Sequence, residues 1–155
     1  MRLYFFRHGI AEDYVPGEVD SSRALTREGG NRTKAMARVL LDVGVKPRRL
    51  YTSPLLRARQ TADIVAQVLG VKVTVRKALA PGFNIEDVAT LITGLRNSDD
   101  VMFVGHEPDF STIVSQLIGG GDIIMKKGGV ARVDIGTQHP PRGALVWLLP
   151  PKLID

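Results

Sequence analysis

Two histidines and two arginines stand where side chains of this chain could handle a phosphoryl group. Arg7-His8-Gly9 and His106 each follow a short apolar run, and Arg57 follows Ser53-Pro54. The planar arginine cation is suited to phosphate oxygens, and a histidine can be a base or a nucleophile near neutral pH. These residue types indicate a phosphate pocket that contains a nucleophile.

Strand and helix patterns alternate along the chain, which is typical of an α/β fold. Short apolar runs predict strands, and apolar residues at helical spacing predict helices. The expected fold is a three-layer α/β sandwich, a mostly parallel central sheet flanked by helices, in a single domain over residues 1–155. The predicted strands are residues 2–7, 49–52, 71–75, 101–104, 130–135 and 144–149, and the predicted helices are residues 27–43, 54–69, 84–95 and 108–118.

Two helix starts carry clear signals. Thr26 is expected to be the N-cap of the first helix, and Ser53 is expected to cap the second, with Pro54 at the first helical position. A polar loop over residues 9–25 precedes the first helix. The residues expected to face the core from that first helix are Ala35, Met36, Val39, Leu40 and Val43.

Three strand ends carry the polar residues that could do chemistry. They are Arg7-His8-Gly9, the segment of residues 53–61, and Gly105-His106-Glu107. If these strands are parallel neighbours, their carboxyl ends meet at one rim of the sheet, where open α/β folds bind ligands. Two of the three histidines would then face each other across an arginine-lined pocket.

Composition excludes several kinds of protein. The chain has 155 residues, 44% hydrophobic and 24% charged, with no cysteine and a net charge of +5. Disulfides and thiolate metal sites are therefore excluded. Aromatic residues are few and the basic residues are spread out, so nucleic-acid binding is not expected. With no basic-then-apolar leader and no long apolar run, we expect a soluble, cytoplasmic protein without membrane contact, monomeric rather than oligomeric.

The chain resembles the histidine phosphatase superfamily, whose fold is phosphoglycerate-mutase-like. The matching segments are Arg7-His8-Gly9, residues 53–62 (Ser-Pro-Leu-x-Arg-Ala-x-Gln-Thr-Ala), Gly105-His106, and Leu25-Thr26 with Gly29. In this order the set is highly specific. The chain also lacks the long insertion of sugar-phosphate members, and in this it resembles the SixA-type phosphohistidine phosphatases.

The resemblance implies a role for each matched residue. His8 would be the nucleophile that forms a phosphohistidine intermediate, Arg7 and Arg57 would grip the phosphoryl oxygens, and His106 would add another donor. Gly9 would lie against the bound phosphate, and Arg23 could reach it from the loop. No metal or other cofactor is implied. Helix geometry favours Arg57 over Arg59, because Arg57 shares a helix face with Gln60 and Thr61.

One departure from the family pattern bears on the substrate. Many members carry a carboxylic acid after the third strand, which protonates an alkoxide leaving group, whereas this chain has Leu79-Ala80-Pro81 there. An alcohol ester would be hard to cleave without an acid, but phosphohistidine leaves as a much less basic imidazole. Glu107 could substitute as the acid, although it is equally placed to stabilise the next helix start.

The function expected from these observations is a metal-independent phosphatase that acts on protein phosphohistidine, as on a phosphorelay domain. The short chain predicts an open pocket that a protein surface could reach, with few walls for a small sugar phosphate. The alternatives are a broad phosphomonoesterase that acts on small phosphate esters and a phosphate-binding module without turnover.

Overall fold

Each face of one central sheet is covered by a pair of helices. In a computed structural model that describes residues 1–154, Tyr4 and Phe6 pack with the first two helices, whereas Leu3 and Phe5 pack with the last two. Alternating residues of a strand point to opposite faces, so both faces of the first strand are buried. The predicted three-layer α/β architecture is confirmed.

The elements follow the predicted order, with some different bounds. The third strand is shorter than predicted, and the last two strands are longer and form a hairpin. The strands are β1 (Arg2–Arg7), β2 (Arg49–Thr52), β3 (Val73–Val75), β4 (Val101–Gly105), β5 (Val130–Gln138) and β6 (Pro141–Leu149). The helices are α1 (Arg27–Asp42), α2 (Leu56–Leu69), α3 (Ile85–Ile92) and α4 (Asp109–Leu117), and short 3₁₀ turns span Asp20–Ser22, Lys77–Leu79 and Pro151–Leu153.

The sheet has the strand order β3-β2-β4-β1-β5-β6. Strands β3, β2, β4 and β1 are mutually parallel, and β5 pairs antiparallel with both β1 and β6. The sheet is therefore mostly parallel, as predicted. No helix within residues 1–154 is both long and apolar enough to cross a membrane.

The helix starts show one confirmed prediction and one wrong prediction. Thr26 caps α1 by accepting a hydrogen bond from Gly29 N. Ser53 does not cap α2, because that helix begins at Leu56 with Leu55 at the N-cap position. Ser53 precedes a proline, which disfavours helical backbone at that residue, and its hydroxyl instead accepts from Leu55 N in the turn before the helix.

The inward face of α1 also differs from the prediction. Met36 and Leu40 are fully buried, but Ala35 is exposed and Val43 is 66% exposed. Thr33 and Ala37 are buried in their place. The prediction is therefore wrong for Ala35 and Val43. A threonine and a second alanine, which apolar spacing alone does not single out, complete the buried face of this helix.

The segment predicted as a polar loop has a defined shape. Ala11 and Leu25 form an isolated antiparallel bridge, which closes residues 12–24 into a loop. We call this segment the mouth loop. It contains the 3₁₀ turn of Asp20–Ser22. Just after the loop, Leu25 N donates to Gln60 Oε1, which ties this part of the chain to α2.

Candidate active site

The three strand ends singled out in the sequence meet at one rim of the sheet. Strands β2, β4 and β1 are adjacent and parallel, and Arg7 is in register with Gly105. His8 and His106 therefore leave neighbouring strands at the same level, and their ring centroids are 5.3 Å apart. The fold creates this histidine pair from residues almost a hundred positions apart in sequence.

Hydrogen bonds fix which nitrogen of His8 is available for chemistry. His8 Nδ1 lies 2.8 Å from the carbonyl oxygen of Gly9, which can only accept, so we assign the ring proton to Nδ1. The lone pair is then on Nε2, and Arg57 Nε donates to it at 3.3 Å. His8 Nε2 is a neutral nucleophile with a cation already beside it.

Gly9 is required by space as much as by hydrogen bonding. A Cβ at this position would lie 2.8 Å from Thr33 Oγ1 and 3.1 Å from the carbonyl oxygen of Gly29, both on α1. The Gly9 amide donates to Thr61 Oγ1 at 3.1 Å. In this structure Gly9 holds the His8 ring through its carbonyl, while its amide, a group that could bind phosphate, is already engaged.

The environment keeps His8 uncharged. Burial lowers the pKa of His8 from 6.5 to about 3; the Gly9 carbonyl raises that pKa, and His106, Arg57 and Arg7 lower it further. Desolvation favours the neutral form of a histidine. Burial is the largest cause of this shift, ahead of the neighbouring arginines.

His106 presents its other nitrogen to the site. Its Nε2 lies 2.7 Å from Ser53 Oγ, and that oxygen also accepts from Leu55 N. When the Ser53 hydroxyl donates to Nε2, the ring proton of His106 is on Nδ1. Nδ1 is buried and has no hydrogen-bond partner among the described residues. Burial lowers the pKa of His106 to about 4, with Arg57 as the next cause.

The structure distinguishes Arg57 from Arg59. Arg57 lies in the first turn of α2, is 5% exposed, and contacts His8, whereas Arg59 is exposed. Thr61 lies one turn later on the same face and donates its hydroxyl to Arg57 O. The local helix geometry therefore brings Arg57 and Thr61 to the site together.

Arg7 supplies a second guanidinium at the rim. Its Nη1 donates to the carbonyl oxygen of Met125 at 2.8 Å, and its Nε is buried with no partner among the described residues. Burial lowers the pKa of Arg7, and Glu107 opposes this effect. Arg7 Nε and His106 Nδ1 are therefore two buried polar atoms without partners among the described residues, which an oxyanion could satisfy.

Asp20 is a site residue that the sequence analysis missed. Its carboxylate bridges two arginines, accepting from Arg23 Nε at 2.8 Å and from Arg57 Nη2 at 3.3 Å. The Asp20 carbonyl accepts from Arg57 Nη1 at 3.1 Å. Desolvation raises the pKa of Asp20, but Arg57 and Arg23 together lower it more, so the net pKa is below its usual value and the side chain is a carboxylate at neutral pH.

Among the hydrogen bonds and ion pairs of residues 1–154, Arg23 meets the site through Asp20. Besides that ion pair, its Nη1 donates to the carbonyl oxygen of Glu12 within the mouth loop. The i,i+3 spacing of Asp20 and Arg23 could have indicated an ion pair between them. That spacing is informative in a helix, however, and these residues lie in a polar loop without helical periodicity. Nothing there predicted that Asp20 would meet Arg57.

The two candidate positions for a leaving-group acid have other partners. Glu107 Oε1 accepts from Ser111 N in the first turn of α4 at 2.8 Å, the helix-start role that the sequence allowed. The second position follows the third strand, where Leu79 is buried in a 3₁₀ turn and provides no acid. In the same segment Gly82 N donates to Asp109 Oδ2 at 2.8 Å, so that carboxylate already has a partner. Within residues 1–154, no group of three or more metal-ligating side chains is present.

Comparisons with known proteins agree with the motifs. The model of the histidine phosphatase superfamily (branch 1) matches residues 3–81. The phosphohistidine phosphatase SixA of Escherichia coli is 30% identical over 124 residues, which cover 77% of this chain and 76% of that protein.

Solved structures share the whole fold. The protein histidine phosphatase SixA complexed with tungstate superposes with a TM-score of 0.89 at 26% identity, covering 100% of both chains. A mycobacterial glucosyl-3-phosphoglycerate phosphatase has a TM-score of 0.73 at 18% identity, covering 93% of this chain and 96% of that one. At that lower identity the likeness concerns the fold alone.

Proposed function

Because this chain belongs to the histidine phosphatase superfamily, we propose that it hydrolyses phosphohistidine on proteins through a covalent intermediate on His8. Membership makes it a phosphatase; the substrate and the residue roles are our proposal. The observation that carries it is the neutral Nε2 of His8, held 3.3 Å from Arg57 Nε with its proton fixed on the opposite nitrogen. A phosphoryl group that replaces this hydrogen bond meets a nucleophile and a cation together.

Phosphoryl transfer needs positioning and charge stabilisation more than covalent assistance. Arg57 Nε, Arg7 Nε and His106 Nδ1 are the donors we assign to the nonbridging oxygens. The last two are buried without partners among the described residues. Buried donors without partners cost free energy in the unliganded protein, and an oxyanion would satisfy both.

The reaction balances in two displacements. His8 Nε2 bonds to phosphorus while the substrate P–N bond breaks, and its electron pair leaves with the substrate imidazole. His8 then carries the phosphoryl group on Nε2 and a proton on Nδ1, a cationic ring that Gly9 O stabilises. Water next attacks phosphorus, His8 Nε2 takes back its electron pair, and dihydrogen phosphate leaves with both protons of the water.

The partners of the two candidate acids support an N-phosphorylated substrate. Glu107 is engaged at the start of α4, and the turn after β3 offers Leu79, which is buried. A site without a free acid disfavours an alkoxide leaving group. An imidazole that already carries one proton needs none from the enzyme.

A basic groove beside Arg7 supports a protein as the carrier of the phosphohistidine. A cavity of about 770 Å³ is lined by Arg7, Lys126, Lys127 and Lys152, and by apolar residues that include Pro150 and Leu153. Arg7 Nη1 donates to the residue before Lys126. An acidic surface docked in this groove would hold its phosphohistidine near His8.

A broad phosphomonoesterase is the second candidate. The fold is shared with a mycobacterial glucosyl-3-phosphoglycerate phosphatase, so the architecture itself accommodates small phosphate esters. The two candidates differ in their relative turnover of a phosphohistidine protein and of sugar phosphates.

The test compares the wild type with a variant that lacks His8, measuring dephosphorylation of the substrate and formation of a phosphoenzyme. We expect the wild-type protein to dephosphorylate a phosphohistidine-containing phosphotransfer domain and to yield an acid-labile phosphoenzyme after rapid quenching. His8→Ala should lose both while keeping its thermal unfolding transition, and His139→Ala, at an exposed hairpin position, should lose neither. Turnover by His8→Ala would refute the nucleophile, and wild-type turnover of sugar phosphates alone would favour the second candidate.

A further inference from the structure

Asp20 lies on the exposed side of Arg57, across its guanidinium from His8. Arg57 contacts His8 through Nε and Asp20 through both Nη atoms, so the guanidinium separates the nucleophile from the carboxylate. The Asp20 side chain is 52% exposed, whereas His8 is 7% exposed. The order from the interior outward is therefore His8, Arg57, Asp20.

In-line transfer gives this order a chemical meaning. The attacking and leaving atoms lie on opposite sides of phosphorus. If His8 attacks from the interior, the leaving group faces the mouth of the site. Asp20 is the carboxylate at that mouth, fixed there by Arg23 and Arg57.

We propose that Asp20 selects phosphohistidine over phosphate esters by accepting a hydrogen bond from the second ring nitrogen of the leaving imidazole. This inference rests on the proposed function and adds a substrate-contacting residue to it. A phosphorylated imidazole leaves as a neutral ring only when its other nitrogen carries a proton, and a carboxylate stabilises that protonated form. No proton is transferred to or from Asp20.

The same carboxylate opposes esters. An alcohol leaving group develops negative charge on oxygen and has no N–H to offer, so a neighbouring carboxylate repels it. Asp20 cannot serve as its acid while two arginines hold it ionised. One side chain therefore acts in opposite directions on the two classes of substrate.

Asp20→Asn tests the inference with two small probes, free phosphohistidine and para-nitrophenyl phosphate, whose leaving group has no N–H. We expect kcat/KM for phosphohistidine to fall about tenfold or more, the loss of a charge-assisted hydrogen bond. For para-nitrophenyl phosphate kcat/KM should stay level or rise. Inhibition by tungstate should stay level or become tighter, because a competing anion has left Arg57. Asp13→Asn, in the same loop and exposed, is the matched control and should change none of these.

The outcomes separate this inference from the proposed function. A wild-type protein that never hydrolyses phosphohistidine refutes the proposed function, and the inference with it. If the wild type hydrolyses phosphohistidine and Asp20→Asn changes both substrates in the same proportion, the inference alone is refuted. Weaker tungstate inhibition in Asp20→Asn would also refute it, since Asp20 would then act only by holding Arg57 in place.

Discussion

The floor and the mouth of this site are built in different ways. The floor consists of His8, Ser53, Arg57 and His106, each at least nine-tenths buried and each at or just beyond a strand end. The mouth consists of Asp20 and Arg23 of the mouth loop, whose side chains are 52% and 23% exposed. Buried hydrogen bonds hold the side chains of the floor, whereas a partly exposed ion pair holds the two side chains of the mouth.

This difference separates rate from selectivity. A preorganised, buried donor acts on charge as it develops and contributes strongly to the rate. An exposed ion pair contributes about 1 kcal/mol or less to stability, so the mouth can rearrange around different partners at little cost. We therefore assign the chemical step to the floor and the choice of substrate to the mouth.

Matched arginine substitutions give the largest expected contrast. Arg57→Lys removes the forked donors beside His8, and we expect kcat for any substrate to fall by about 10²–10³-fold. Arg23→Lys changes an arginine that meets the site through Asp20, and it should lower kcat less than about tenfold. Steady-state kinetics with para-nitrophenyl phosphate measures both.

Equal losses in the two variants would break the comparison, because the mouth would then take part in the chemical step. Thermal unfolding of both proteins is the control. A fall in kcat for Arg57→Lys that accompanied loss of the folded state would not count as evidence for its role.

The buried histidines also predict how stability depends on pH. Their pKa values are about 3 for His8 and about 4 for His106 in the folded chain, against 6.5 when unfolded. Between those values the unfolded chain binds more protons, so stability rises with pH and is lost as pH falls from 6.5 towards 4. Each histidine contributes a slope of up to about 1.4 kcal/mol per pH unit.

Thermal denaturation at pH 7.5, 6, 5 and 4.5 measures this slope. A variant with both His8→Asn and His106→Asn should lose Tm less steeply on acidification than the wild type. His139→Asn, changed at an exposed histidine, should follow the wild-type curve. Parallel curves for the double variant and the wild type would mean that the floor histidines are not held neutral.

His8, His106 and Arg57 were predictable from the sequence, and Arg23 was a candidate there, whereas Asp20 was missed. His8 and His106 stand directly after apolar runs, and parallel strands bring their carboxyl ends to one rim regardless of loop detail. Arg57 shares a helix face with Thr61, which periodicity reveals. Asp20 meets Arg57 only through the shape of the mouth loop, and no repeating pattern encodes that contact.

Ser53 shows how a correct signal can have the wrong meaning. A serine before a proline predicts a helix cap, yet its hydroxyl is committed to Leu55 N and to His106. Ser53 and His106 are 53 positions apart, so the second partner depends on the pairing of β2 with β4. The local sequence predicts the turn at Ser53, whereas the contact with His106 follows only from the strand order of the sheet.

Substitution of one serine in the floor and one in the mouth loop should give a smaller difference in kcat than the arginine substitutions. Ser53→Ala removes the hydrogen bond that orients His106 at the floor, and we expect kcat to fall about fivefold, the equivalent of one hydrogen bond. Ser22→Ala removes a hydroxyl that donates to Val19 O within the mouth loop, and kcat should stay within twofold. The same assay compares them, and a larger effect at Ser22 would place a rate-determining contact in the mouth loop.

The last contrast concerns docking of a protein substrate. Lys126 and Lys127 border the groove beside Arg7, so changing both to Glu should raise KM for an acidic phosphohistidine protein about fivefold, through lost attraction between exposed charges. KM for para-nitrophenyl phosphate should not change, because that molecule does not extend into the groove.

Lys46 and Lys72 provide the control of equal charge. Both are exposed and precede the parallel strands β2 and β3, so they lie towards the rim opposite the site. Changing both to Glu alters the net charge by the same amount as the groove variant. If this control raises KM for the phosphoprotein equally, overall charge rather than the groove guides docking; if neither does, the mouth alone selects the substrate.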